Sequence, residues 1–226
     1  PIHFWAQETA KYAGENATFF RAEELYEKAQ YSAAKQEFHA FISGSKEAKR
    51  NPNDPFLIKA YYYEGISALE LYNNDAIPLL NAFNKAYPDN IYKNKIALKI
   101  GNYHFQNEDF ESAQIAYSNV PVREIELDEK EEALFKLGYS AYQNGDVETS
   151  YTSFRDVKDG TTQYAKPSLY FYSHISYTKN ALQVALEGFQ KLRTDSTFCG
   201  VVPYYIAQIL HKQGKYQEVI DLLQPF

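Results

Sequence analysis

Five histidines, one cysteine and a run of carboxylates are the side chains of this 226-residue chain best suited to chemistry. His3, His39, His104, His174 and His211 offer imidazoles, common metal ligands and proton carriers near neutral pH. A helical metal site needs two of them four residues apart, and no pair has that spacing. No HExxH motif and no adjoining carboxylate cluster accompanies them, so no metal is expected. Cys199 stands in a junction, Thr197 to Val202, without a histidine nearby in sequence to take its proton, and reads as a small junction residue. Asp128, Glu129, Glu131 and Glu132 crowd a helix start, where the helix dipole favours negative charge. They read as a solvated cap rather than an acid–base pair. The 10 glycines are scattered, and no GxxxxGK or GxGxxG is present to cradle a phosphate. These residues predict no catalytic centre, no cofactor and no enzyme.

Composition narrows the remaining classes. The chain is 45% hydrophobic and 23% charged, enough apolar content to fold and to bury a sizeable core. Its charges sum to 23 − 29 = −6 without a long basic run, which argues against nucleic-acid binding. The longest apolar runs, such as Val201 to Ile206, fall far short of the ~20 residues that cross a bilayer, so no transmembrane segment is expected. A single cysteine excludes an intramolecular disulfide framework and a cysteine-based zinc site. The informative excess is aromatic, with Tyr 21 and Phe 15 against Trp 1.

The elements that must position those rings come from an internal repeat. Ala34 leads Phe38 and Phe41; Ala76 leads Leu80 and Phe83; Ala113 leads Tyr117 and Val120. Ser150 leads Phe154 and Val157, Ala185 leads Phe189 and Leu192, and Val219 leads Leu223 and Phe226. The lead residues are 42, 37, 37, 35 and 34 apart, and apolar residues four and seven positions on share one helical face. Twelve residues before each lead stands Ala22, Gly101, Gly138, Ser173 or Ala207; Gly65 fits the second unit if its loop is one residue shorter. Gly145, Asn180 and Gly214 lie between the two columns, where the left-handed conformation ends a helix, and Asp109 and Asp146 can cap the helices that follow. Each unit is therefore a helix hairpin whose small residues let the second helix approach the first.

The repeat of about 34 residues, with glycine or alanine in the first helix and alanine plus an aromatic in the second, resembles the tetratricopeptide repeat family. Units three, four and six carry the likeness best, through Gly101, Phe110, Ala113 and Tyr117; Gly138, Gly145 and Phe154; and Ala207, Gly214, Tyr216 and Val219. The family's tryptophan near each unit's start is replaced by Ala97, Leu134, Leu169 and Pro203, and of the closing prolines Pro88 matches well. The resemblance implies an all-α, right-handed superhelical solenoid of antiparallel hairpins, about six of them, over residues 16–226.

It also implies where a partner would lie. In this family the first helices line the concave face, at positions three before, one after and four after the small residue. By register these are Tyr62, Ile66 and Leu69; Leu98, Asn102 and Phe105; Phe135, Tyr139 and Tyr142; Tyr170, His174 and Tyr177; and Tyr204, Gln208 and His211. The expected peptide- or protein-binding groove is thus Tyr62, Phe105, Phe135, Tyr139, Tyr142, Tyr170, His174, Tyr177, Tyr204 and His211. Tyrosine suits recognition because it gives large apolar contact, a hydroxyl and few rotamers to freeze. The family's carboxylate clamp of Lys and Asn is matched by Asn102 alone. The alternative is that the rings pack against neighbouring first helices.

Residues 1–15 read as a leader. PIHFWAQ is either the tail of a secretory signal cut after Ala6, or a staple in which Phe4 and Trp5 hold the first helix. The first reading places the protein in the periplasm or cell envelope, the second leaves it cytoplasmic. At the other end, Leu222, Leu223 and Phe226 lie on a terminal helix without a polar cap, so the array is expected to continue past residue 226 or to self-associate there. The function expected is a non-enzymatic scaffold for a protein or peptide, with a carbohydrate-binding or nutrient-uptake accessory and the sensory part of a longer regulator as alternatives.

Overall fold

The computed structural model describes residues 13–223, without the side chain of Leu223. The readings of Ala6, Phe4, Trp5 and Phe226, and of the Leu223 side chain, lie outside the described residues. Among the described residues the chain forms twelve helices and no strand. They are α1 (Ala17–Glu27), α2 (Tyr31–Glu47), α3 (Pro55–Glu70), α4 (Ala76–Ala86), α5 (Lys93–Gln106), α6 (Phe110–Ser118), α7 (Leu127–Gln143), α8 (Val147–Val157), α9 (Ala165–Thr178), α10 (Leu182–Leu192), α11 (Val202–Lys212) and α12 (Tyr216–Leu223). None of them is long and apolar enough to cross a membrane.

Both repeat columns fall on the helices the spacing predicts. Ala22, Gly65, Gly101, Gly138, Ser173 and Ala207 lie on first helices, and the six leads lie on second helices. In the first five units every residue four and seven after the lead is buried, from Phe38 and Phe41 to Phe189 and Leu192. At Gly138 a Cβ would lie 3.1 Å from the Phe154 ring, and at Gly65 it would lie 2.5 Å from Leu80 Cδ2. The large residue of the second helix therefore occupies the space the small residue leaves open.

Each turn inside a hairpin carries one residue in the left-handed region: Ala29 (φ 56), Tyr72 (φ 55), Glu108 (φ 57), Gly145 (φ 76), Asn180 (φ 60) and Gly214 (φ 75). Gly145, Asn180 and Gly214 are legible in the sequence, whereas Ala29, Tyr72 and Glu108 adopt a conformation that L side chains disfavour. Tyr72 precedes its lead Ala76 by four residues where the others precede theirs by five, which is the one-residue-shorter loop of the second unit. Asp109 and Asp146 cap α6 and α8, accepting from the amides of Ser112 at 3.2 Å and Thr149 at 3.1 Å. Those bonds hold both carboxyls below their usual range.

Two compact units divide the chain between Tyr103 and His104, inside α5. Unit 1 buries a knot of phenylalanines. Phe19 meets Phe38, Phe41 and Phe56 edge-on at 5.8, 5.6 and 5.1 Å between centroids. Its second core gathers Tyr62, Ile66, Leu69, Leu80, Phe83 and Ile96. Unit 2 packs hairpin on hairpin from α6 onward, and its last core joins Leu169, Phe189, Val202 and Ile206 to half-buried Val219 and Leu222.

The acidic run at the start of α7 departs from the solvated cap expected of it. Asp128 and Glu129 occupy the first turn, but Glu131 is buried. Its carboxylate accepts from the Thr162 amide at 3.2 Å and the Thr162 hydroxyl at 2.5 Å. Gly160 approaches that carboxylate so closely that a Cβ there would collide with it. Burial is tolerated because these donors answer the charge.

Candidate functional site

The expected binding residues separate into a closed set in unit 1 and an aromatic face in unit 2. In unit 1, Tyr62, Ile66 and Leu69 are 8%, 0% and 5% exposed. Tyr92 stacks on Tyr62 with centroids 4.0 Å apart, and burial drives the Tyr62 phenol far above its usual range. Tyr26 beside it is pushed up to about 12 for the same reason, with Glu70 adding to the shift. The register that puts Tyr62 on a recognition surface therefore meets a ring already covered.

Unit 2 arranges its expected residues as one connected series of rings. Phe105 contacts Tyr139 edge-on at 5.7 Å, and Tyr139 lies 6.3 Å from Phe135. Phe171 joins Tyr139 to Tyr142, at 5.6 and 5.2 Å, and stacks on the core ring of Phe154 at 5.0 Å. Tyr142 leads to His174 at 6.1 Å, and Tyr205 collects His174, Tyr177 and Tyr170 while stacking on Phe189 at 5.0 Å. All the expected members from Phe105 to Tyr177 are half-buried, Tyr204 is 62% exposed and His211 is exposed. One edge of the series rests on the core and the other faces solvent.

Two of the connecting rings, Phe171 and Tyr205, escape the sequence reading. Both stand two residues before the small residue of their helix, a column between the core and the expected groove. An aromatic at the same offset in consecutive units was the available signal.

The environment decides how these groups titrate. Burial pushes the Tyr170 phenol up to about 12, with Tyr205 adding to the shift. Burial lowers the pKa of His174 and favours its neutral ring at pH 7. The Tyr142 hydroxyl lies 3.4 Å from His174 Nδ1, at the outer limit of a hydrogen bond. His39 and His104 each find one carboxylate, Glu64 at 2.7 Å and Asp109 at 3.0 Å. Among the described residues no three His, Cys, Asp or Glu converge as metal ligands would. Cys199 is exposed.

The aromatic series ends at an open pocket of about 450 Å³, lined by Tyr177 from α9 and by Tyr204, Ala207, Gln208, His211 and Lys212 from α11. Five of the six hold register positions or the small-residue position expected from the sequence, and the sixth is Lys212. Four residues after Gln208, it shares that residue's helical face. A second cavity, of about 550 Å³ in unit 1, surrounds Arg50. That guanidinium donates to Asn16 Oδ1 at 2.7 Å, pairs with Asp54 at 3.8 Å and lies 4.9 Å from the Phe41 centroid. Arg50 is thereby tied into the packing of unit 1.

Comparison with known proteins bears on the fold. No family model matches the sequence, and no curated protein matches it. Among solved structures, the tetratricopeptide repeat domain of P58(IPK) aligns at 16% identity over 92% of this chain and 58% of that one, with a TM-score of 0.41. A tetratricopeptide repeat protein from Parabacteroides merdae aligns over 92% of this chain and 77% of that one, at 12% identity and a TM-score of 0.59. With that structure this chain shares its fold, an all-α array of helix pairs of the tetratricopeptide repeat kind.

Proposed function

We propose that this protein is a non-enzymatic scaffold that holds a peptide or protein segment along the aromatic face of unit 2. The observation that carries this is the graded series of rings from Phe105 to Tyr204, held by the core on one side and accessible on the other. Rings fixed by packing lose little conformational freedom when a partner covers them, which favours recognition through tyrosine. Unit 1 contributes its stability rather than Tyr62 as a contact. The cell envelope is the proposed location, on the reading of PIHFWAQ as the tail of a secretory signal.

Tyr139 and Tyr170 each touch several rings, so truncating either disturbs packing together with any binding. Tyr204 and His211 are exposed and separate the two effects. The double variant Tyr204→Ala, His211→Ala is expected to keep the wild-type melting temperature and to weaken partner binding by about 1 to 3 kcal/mol. The measurement is a pull-down from envelope and soluble extracts with both proteins. Equal recovery of every partner by the two would sink the proposal.

A further inference from the structure

The pocket at the end of the aromatic series offers a chemistry that the rest of the face lacks. Its lining holds two rings, an amide, an imidazole and an ammonium, and no carboxylate, in a chain whose net charge is −6. Other lysines of unit 2 are paired with acids: Lys166 with Asp195 at 2.7 Å, Lys179 with Glu148 at 2.5 Å, Lys215 with Glu218 at 3.7 Å, and Lys136 with Glu132. Lys212 instead sits 4.4 Å from the centroid of the Tyr177 ring and enters no ion pair among the described residues. The Tyr177 hydroxyl donates to Gln208 Oε1 at 2.6 Å. That bond turns the amide oxygen toward Tyr177 and leaves its NH₂ as a donor for a ligand. Tyr204, 62% exposed, adds an apolar wall beside these donors.

A pocket with positive charge and amide hydrogens beside an apolar ring is matched by a carboxylate carried on a partly apolar chain. A neutral sugar would leave the Lys212 ammonium without a counter-charge, whereas a carboxylate supplies one. We infer that this pocket receives the side-chain carboxylate of an Asp or Glu within the bound segment, next to an apolar residue laid on Tyr204. The inference rests on the peptide-binding reading above and deepens it. It concerns an acid inside a passing chain, since the pocket is open to solvent and lies along a face that continues through α9 and α7.

The test is selection of random peptides, displayed through their C-termini so that no terminal carboxylate is free, on the full immobilised chain. The expected result is enrichment of Asp or Glu beside an apolar residue. Lys212→Gln then binds the selected peptides about fivefold more weakly, as loss of one exposed charge contact implies, and its own selection shows no acidic preference. Lys215→Gln removes a lysine charge outside the pocket, one paired with Glu218, and binds them as the wild type does. Enrichment of peptides without acids, an acidic preference that survives Lys212→Gln, or an equal loss in Lys215→Gln would each overturn the inference and leave peptide binding standing. No enrichment on the wild type would overturn both.

Discussion

Three residues before the small residue of their helices, Tyr62 in unit 1 and Tyr204 in unit 2 occupy equivalent places in the repeat, yet one is 8% and the other 62% exposed. The difference lies in the cover, a ring nine residues before the next unit's small residue: Tyr92 stands so before Gly101, as Tyr164 and Phe198 stand before Ser173 and Ala207 and lie against Phe135 and Tyr170. Tyr92, in the segment before α5, lies flat on Tyr62, while Tyr204 meets Tyr205 edge-on at 5.8 Å and keeps its outer face in solvent. Turn chemistry differs as well. The hairpins of unit 1 turn through Ala29 and Tyr72, whereas three of the turns in unit 2 use Gly145, Asn180 and Gly214. A repeat position thus fixes the direction of a side chain relative to its own hairpin. What covers it is decided by the ring that the connection to the next first helix lays over it.

The comparison breaks most directly at the tyrosines. Tyr62→Ala is expected to cost about 3 kcal/mol, because it empties a buried site and strips Tyr92 of its partner. Tyr204→Ala should stay within about 0.5 kcal/mol of wild type. Chemical denaturation of both variants is the measurement, and equal losses would show that the repeat position, not its cover, sets the energetics. Gly138→Leu tests the packing of unit 2 next. Three carbon atoms of Phe154 and Ser153 already lie 3.1 Å from the site of a Cβ, so the branched side chain should overpack the fourth hairpin by about 1 to 3 kcal/mol. An unchanged melting temperature would mean that α8 can move away from α7 at little cost. The smallest effect is expected at the turns. Ala29 holds φ 56 at an exposed position, and Ala29→Gly should stabilise unit 1 by about 0.5 kcal/mol, since relief of the left-handed strain exceeds the entropy glycine adds to the unfolded chain. A lower melting temperature for Ala29→Gly would show that this strain is negligible.

Much of this molecule was legible without coordinates, and particular residues show why. Ala34, Phe38 and Phe41, or Ser150, Phe154 and Val157, announce a buried helical face by spacing alone, because helical geometry ties sequence distance to direction. Gly145 and Gly214 mark turns because few other residues adopt positive φ without strain. The same local rules determined the hairpins, their order and the all-α fold. Only tertiary structure decided that Tyr62 is covered by Tyr92, that Phe171 and Tyr205 join the rings of unit 2 into one series, that Glu131 turns inward onto Thr162, and that Lys212 stands over Tyr177 at the edge of a pocket. Each of these is a contact between segments at least twenty residues apart, set by how hairpins and their connections stack, and helical periodicity carries no information across that distance.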